Sequence, residues 1–216
     1  MKDETKAKAA FEESLKHVDR MSEREKYRTF GNYYLNIARN NEKAIETFET
    51  FVKQYPADDA GHGNLGLAYL YTGNLPGAIA QVREALRIYP KNLLQRYNYA
   101  MYSLYAGDFD TALAEGDRTL QQAPGFTYAF WPIALSAAAR GDFARANDTY
   151  AKLEASGTEG ALRAQLARAD LEMARARFRP AVAALQAGLA AAGTENDRFV
   201  LAREHVALAE AFMNTR

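Results

Sequence analysis

The sequence predicts an all-α fold, a right-handed superhelical α-solenoid of about five helix-turn-helix units, and three series of residues predict it. Pro56, Pro90 and Pro124 stand 34 residues apart, Gly73, Gly107 and Gly141 keep the same step, and so do Ala44, Ala78, Ala112 and Ala146. A period of that length marks two short helices and a turn, stacked so that neighbours bury the apolar faces one pair cannot cover.

The second unit shows the physics most fully. Gly66 falls mid-helix, where glycine costs about 0.8–1.0 kcal/mol relative to alanine, so its presence predicts two backbones too close for a side chain. Ala78 and Ala85 are its expected small partners on the second helix. Tyr69 offers a broad flat surface between units. Gly73 can take the left-handed conformation that ends the first helix, and Pro90 blocks continuation of the second. The string Leu65-Gly66, Tyr69, Gly73, Ala78, Ala85, Pro90 resembles the tetratricopeptide repeat (TPR), with seven residues in register.

The predicted units are about 24–58, 59–92, 93–126, 127–160 and 162–194, forming one domain over residues 1–216. The first carries Phe30-Gly31, Tyr34, Ala44, Phe48 and Pro56, with one extra residue expected in its turn. The third replaces the mid-helix glycine by Ala100. The fourth keeps Ala134, Gly141, Asp142, Phe143, Ala146 and Tyr150 without a closing proline. In the fifth, Arg177-Phe178-Arg179-Pro180-Ala181 echoes the turn Gly107-Asp108-Phe109, and its first helix is alanine-rich.

Residues 4–20 read as a leading helix, the second half of a unit whose first half is missing. A chain that starts there is expected to be excised from a longer polypeptide. At the other end Phe199, Val200, Leu201, Val206, Leu208 and Phe212 predict a capping helix over 196–213 that shields the last apolar face.

Composition limits the partners. Lys+Arg and Asp+Glu both total 27, which gives no electrostatic case for nucleic acid or a membrane surface. Cysteine is absent, no apolar run approaches a membrane span, and the charged start Met1-Lys2-Asp3-Glu4 is no signal peptide. The cytoplasm is the expected compartment, or an extracytoplasmic one if the parent chain is membrane-anchored.

The first helices of such units line a concave groove, so their spare side chains are the candidate contacts. The expected peptide-binding residues are Arg28, Asn32, Asn64, Tyr71, Tyr97, Asn98, Met101, Tyr105, Tyr128 and Trp131, with Asn36, Leu67 and Asp170 beside them. Asn64 and Asn98 stand one repeat apart, and an amide offers a donor and an acceptor to a peptide backbone. By resemblance to TPR proteins, such asparagine rows hold extended peptides; the alternative is that these amides bond water or a neighbouring helix. The aromatic residues suit apolar or proline-containing ligands, although some of these rings belong between units. Pro132 either kinks the first helix of the fourth unit or sits harmlessly in its first turn. Chaperone-docking TPR modules grip a carboxylate with paired cations; Arg28, Asn32 and Asn64 match that set, but Leu94 and Asn98 stand where cations are needed.

Gly61-His62-Gly63-Asn64-Leu65-Gly66 matches the dinucleotide-binding pattern only formally, because it opens a helix that follows a helix and not a strand. His17, His62 and His205 lack metal-ligand spacing, so neither metal nor cofactor is expected. Asp108 and Asp142 are expected to make turns and caps. No nucleophile or acid/base dyad remains, and an enzyme is not expected.

The reading is a protein-interaction module for an extended peptide or partner helix. The alternative is a structural element that homo-oligomerises through its terminal helices. The runs Met21–Arg28, Gly31–Leu35 and Val52–Asp58 are similar to TPR regions that follow the kinase domain in some bacterial serine/threonine kinases. That resemblance implies a sensor or recruitment region of a larger signalling protein.

Overall fold

A computed structural model describes residues 2–191. Its α-helices are α1 (Lys2–Leu15), α2 (Glu23–Asn32), α3 (Asn41–Gln54), α4 (Asp59–Tyr71), α5 (Leu75–Ile88), α6 (Leu93–Tyr105), α7 (Phe109–Gln122), α8 (Phe130–Ala139), α9 (Phe143–Glu154), α10 (Thr158–Ala174) and α11 (Phe178–Ala191). Among the described residues there is no strand. The predicted capping helix over 196–213 lies outside the described residues.

The helices gather into two compact units, one ending at Asp108 and one beginning at Phe109. In the first, α2 packs on α3, α3 on α4, α4 on α5 and α5 on α6; in the second, α7 packs on α8, and so on in chain order to α11. The pairs α2/α3, α4/α5, α8/α9 and α10/α11 are helical hairpins of the kind the period predicts. Ala44, Ala78, Ala112 and Ala146 are all fully buried, because each marks a place where two helices cross closely. A Cβ on Gly66 would lie 3.2 Å from the Ala78 carbonyl oxygen, so glycine there serves the close approach of α4 and α5.

Polar caps and left-handed turns set the helix ends. The side chains of Asn40, Asp58, Asn74, Asn92 and Asp142 each accept the backbone N–H three residues on, and Ser22 with Glu25 forms a reciprocal capping box. Each such cap contributes about 1 kcal/mol. Gly73, Gly107 and Gly141 have φ of 77°, 78° and 79°. Arg39 and Ala176 occupy the corresponding turns at φ 51° and 56°, where a Cβ costs about 1–2 kcal/mol. Arg39→Gly and Ala176→Gly are each expected to raise stability by about 0.5–1 kcal/mol, after allowing for glycine's larger unfolded-state entropy. Urea midpoints that stay at the parent value would show that the turns carry no strain.

Sequence expectation and structure part at several places. The extra residue of the first unit is not in its turn: Tyr33–Ile37 form a π-helical segment continuing α2, and the Ala38 N–H reaches the Tyr33 carbonyl at 2.9 Å. The insertion thus widens one turn of helix. The leading segment is divided, α1 ending at Leu15 and a short 3-10 turn spanning Val18–Arg20. Ser14 Oγ donates back to the Phe11 carbonyl at 2.7 Å, a bond that competes with the helix at that point. A 3-10 turn at Thr127–Ala129 precedes α8, which puts Pro132 in the first turn of that helix, where no intrahelical N–H is needed. The kinked alternative is thereby removed. Helix α10 begins at Thr158, ahead of the expected start of the fifth unit.

Candidate functional site

Helices α2, α4 and α6 carry most of the expected contact residues, all within the first compact unit. The sequence leaves the later turns of α4 and α6 without acidic or basic side chains: none occurs from Gly63 to Tyr71 or from Tyr97 to Tyr105. The charges at their N-terminal ends are engaged. Asp59 accepts from Asn92 Nδ2 at 3.0 Å, and Arg96 Nη2 donates to the Pro90 carbonyl at 2.7 Å.

The amides form a short chain on this uncharged background. Asn32 Nδ2 donates to the Arg28 carbonyl at 2.8 Å, and Asn64 Nδ2 reaches Asn32 Oδ1 at 3.4 Å, as does Asn36 Nδ2. Asn98 instead donates to Gln95 Oε1 at 3.3 Å. The structure therefore brings Asn32 and Asn64 together across two helices and holds Asn98 within its own. Gln95 is not marked out by the sequence, yet it is buried and orients Asn98. Gly63 makes room for it, since a Cβ there would lie 2.1 Å from Gln95 Nε2.

Arg28 is committed elsewhere. Its Nη2 donates to Asp58 Oδ2 at 2.6 Å, and Arg24 donates to the same oxygen through Nε at 2.8 Å and Nη2 at 2.6 Å. Asp58 Oδ1 meanwhile caps α4 at the Gly61 N–H, 2.8 Å away. Burial pushes the Asp58 carboxyl up, but the Gly61 N–H and the two guanidinium groups outweigh it and hold it below the usual carboxylate range. A carboxylate of the protein itself thus occupies the charge a carboxylate ligand would need, and Leu94, 57% exposed, stands where a second cation belongs. The carboxylate-gripping arrangement is not assembled.

The aromatic candidates separate by burial. Tyr71 and Tyr105 end their helices 55% and 56% exposed, Tyr97 is half-buried, and Met101 is in the interior at 8%. Tyr102, absent from the expected set, is 2% exposed and its hydroxyl has no hydrogen-bond partner. Burial raises its pKa strongly, with the nearby phenols of Tyr71, Tyr105 and Tyr97 adding to the shift. Tyr69 donates to Glu49 Oε1 at 2.6 Å, and burial together with that bond pushes its hydroxyl up to about 12. In the second compact unit Tyr128 is exposed beneath the Arg163 guanidinium, 5.4 Å from its ring centroid, and Trp131 packs partly buried against the core around Phe130 and Ala134. Asp170 is exposed there and adds to the burial that raises Tyr150 to about 12.

The first unit also holds a cleft of about 470 Å³ between α2 and α3, floored by Tyr27, Phe30 and Tyr34 and edged by Lys43 and Glu46. His62 is buried, with Nδ1 2.7 Å from Gln81 Oε1 and Nε2 3.2 Å from the Pro56 carbonyl, so its ring nitrogens face the protein's own oxygens in the interior. His17 is exposed beside Glu13, and His205 lies outside the described residues. Among the described residues no cluster of three or more His, Cys, Asp or Glu could hold a metal ion, and no helix is long and apolar enough to cross a membrane.

A tetratricopeptide-repeat model matches residues 30–92. The matched span covers α3, α4 and α5 and most of the π-helical first hairpin. No curated protein matches the chain in sequence. Among solved structures, PilW, a type IV pilus biogenesis factor, superposes with a TM-score of 0.67 at 22% identity, covering 93% of this chain and 91% of its own. A thermophilic TPR protein of Thermus thermophilus gives 0.65 at 18% identity over 86% and 99%. YrrB, a TPR protein with an unusual peptide-binding site, gives 0.61 at 15% identity over 91% and 98%. The fold is that of TPR proteins, an all-helical set of stacked hairpins.

Proposed function

We propose that the chain is a protein-interaction module whose first unit holds an extended peptide or partner helix on the faces of α2, α4 and α6. The observation that carries this reading is the Asn32–Asn64 amide pair, beside which Arg28 and Arg24 are both engaged by the Asp58 carboxylate. Each amide there keeps hydrogen-bonding capacity beyond its protein contact, and a peptide backbone uses both donors and acceptors. Asn98, fixed by Gln95, adds a third amide farther along, and Tyr71 and Tyr105 add exposed contact area. The peptide-binding site named for YrrB is in keeping with such use of the fold. A TPR module beside a kinase domain, as residues 21–58 resemble, would sense or recruit that kinase's substrates.

Peptide-library display against the full chain, counter-selected with Asn64→Ala/Asn98→Ala, tests the proposal. Peptides enriched by the parent are expected to lose at least tenfold in affinity on the double variant, corresponding to about 1.4 kcal/mol. Enrichment indifferent to both substitutions would move the interaction to the α2/α3 cleft or to another surface.

A further inference from the structure

We propose that the cleft between α2 and α3 is a second docking surface, which takes an amphipathic helix of a partner protein, bearing a glutamate, in the way that α4 takes α3. Neither Asn32 nor Asn64 lines this cleft, so the inference goes beyond the peptide-binding reading and does not depend on it.

The chain itself displays the occupied form one unit on. Phe30-Gly31 and Tyr34 hold the repeat positions of Leu65-Gly66 and Tyr69, each 35 residues on. Around the later set α3 is in place. Leu65 is 1% exposed within the cluster that includes Phe48 and Phe51, and the Tyr69 hydroxyl donates to Glu49 Oε1 at 2.6 Å. A Cβ on Gly61 would lie 2.8 Å from Phe51 Cε1 and 3.3 Å from Val52 Cγ1. Around the earlier set no described helix fills that place. Phe30 and Tyr34 are half-buried, and every described residue lining the cleft of about 470 Å³ belongs to α2, α3 or the π-helical segment between them. That volume lies in the range of about 300–1,000 Å³ common among ligand pockets.

The charges of the cleft select the occupant. Lys43, whose repeat counterpart is Gly77, holds its ammonium 5.6 Å from the Tyr34 ring centroid, and no carboxylate among the described residues pairs with it. A glutamate entering as Glu49 enters beside Tyr69 meets the Tyr34 hydroxyl and the Lys43 ammonium together, which adds a charge-assisted contact to the single bond seen in the second unit. Glu46, one turn along the same edge, favours a cation beside that glutamate; α3 carries one as Lys53, four residues after Glu49. Tyr27 and Phe30 supply the apolar floor that a helix-in-groove contact needs. Lys26 stands where α4 has Gly61 and is bound to Glu23 at 2.9 Å, and its stem gives an apolar side chain a surface to lie on.

Fluorescence anisotropy of the full chain with a labelled peptide of residues 40–55, the sequence of α3 with its cap, and with the same peptide carrying Glu49→Gln, provides the test. The glutamate peptide is expected to bind the parent about tenfold more tightly than the glutamine form. On Tyr34→Phe and on Lys43→Ala the two peptides should differ by less than about threefold, a loss of coupling that a merely structural change would not produce. Asn64→Ala/Asn98→Ala should bind both peptides as the parent does. No saturable binding, equal discrimination by parent and both cleft variants, or loss of binding in the amide variant would overturn the inference. Two further results would assign the cleft to another occupant and overturn it equally. A concentration-dependent dimer of the peptide-free chain, dissolved by Lys43→Ala, would give it to a second copy, and peptide binding seen only in Phe11→Ala/Leu15→Ala would give it to the chain's own α1.

Discussion

Replacing Phe48 by alanine is expected to lower the stability of the first unit by about 3–5 kcal/mol, the largest loss from any single substitution considered. The ring is fully buried among Leu35, Ala44, Phe51, Leu65 and Ala68, and nothing nearby is large enough to refill its volume. It seats directly on Gly31: a Cβ at that glycine would lie 2.5 Å from both Cε1 and Cζ of Phe48. Gly31→Ala in the parent should therefore cost about 1–3 kcal/mol through overpacking, even though alanine favours a helix by about 0.8–1.0 kcal/mol. In the Phe48→Ala background the same methyl enters free space and should be neutral or stabilising. Urea denaturation followed by far-UV circular dichroism, run as a double-mutant cycle, is expected to give a coupling above about 1 kcal/mol. Simple additivity would mean that glycine and ring are not in contact.

The second large effect belongs to Asp58. Asp58→Ala removes the cap of α4 and the shared partner of Arg24 and Arg28, whose side chains remain 51% and 42% exposed. Because water screens those guanidinium groups, the expected loss is about 2–3 kcal/mol, with about 1 of it from the cap. Asp58→Asn keeps a capping oxygen and should lose less. The pH dependence has a definite sign. The folded-state carboxyl is held below its ordinary value, so its stabilisation is fully present above the unfolded pKa near 3.9 and disappears as pH falls through the folded pKa. As pH is lowered from about 5 to about 2, stability should fall more steeply in the parent than in Asp58→Asn. Parallel curves would remove the ion pair from the account.

Much of the fold can be read because repetition writes the same steric demand many times. The alanines at a step of 34 are fully buried, and the glycines at the same step adopt positive φ where α4, α6 and α8 end. Departures from the repeat are harder to place. One inserted residue between Gly31 and Arg39 shifts the count equally whether it enters a turn or a helix, and only the geometry shows the π-helical solution. The site is legible in its residue types and not in their pairing. Arg24 and Arg28 both reach Asp58, 34 and 30 residues on, so the contacts that engage them join successive units and leave no local pattern. Gln95 and Tyr102 carry no sequence signal because burial, not spacing, gives them their roles. Met101 shares a helical stripe with exposed residues and is interior all the same.

Trp131 is the only tryptophan, and it packs against the core of the second compact unit. Its fluorescence reads that unit, while the ellipticity of the chain reads all of its helices. Repeat arrays unfold in one step or in several according to how strongly neighbouring units are coupled. A substitution at Gly31, Phe48 or Asp58 alters the first unit alone, so any displacement of the tryptophan transition measures how far that change is felt along the chain. The protein thus carries an intrinsic optical gauge of its own cooperativity.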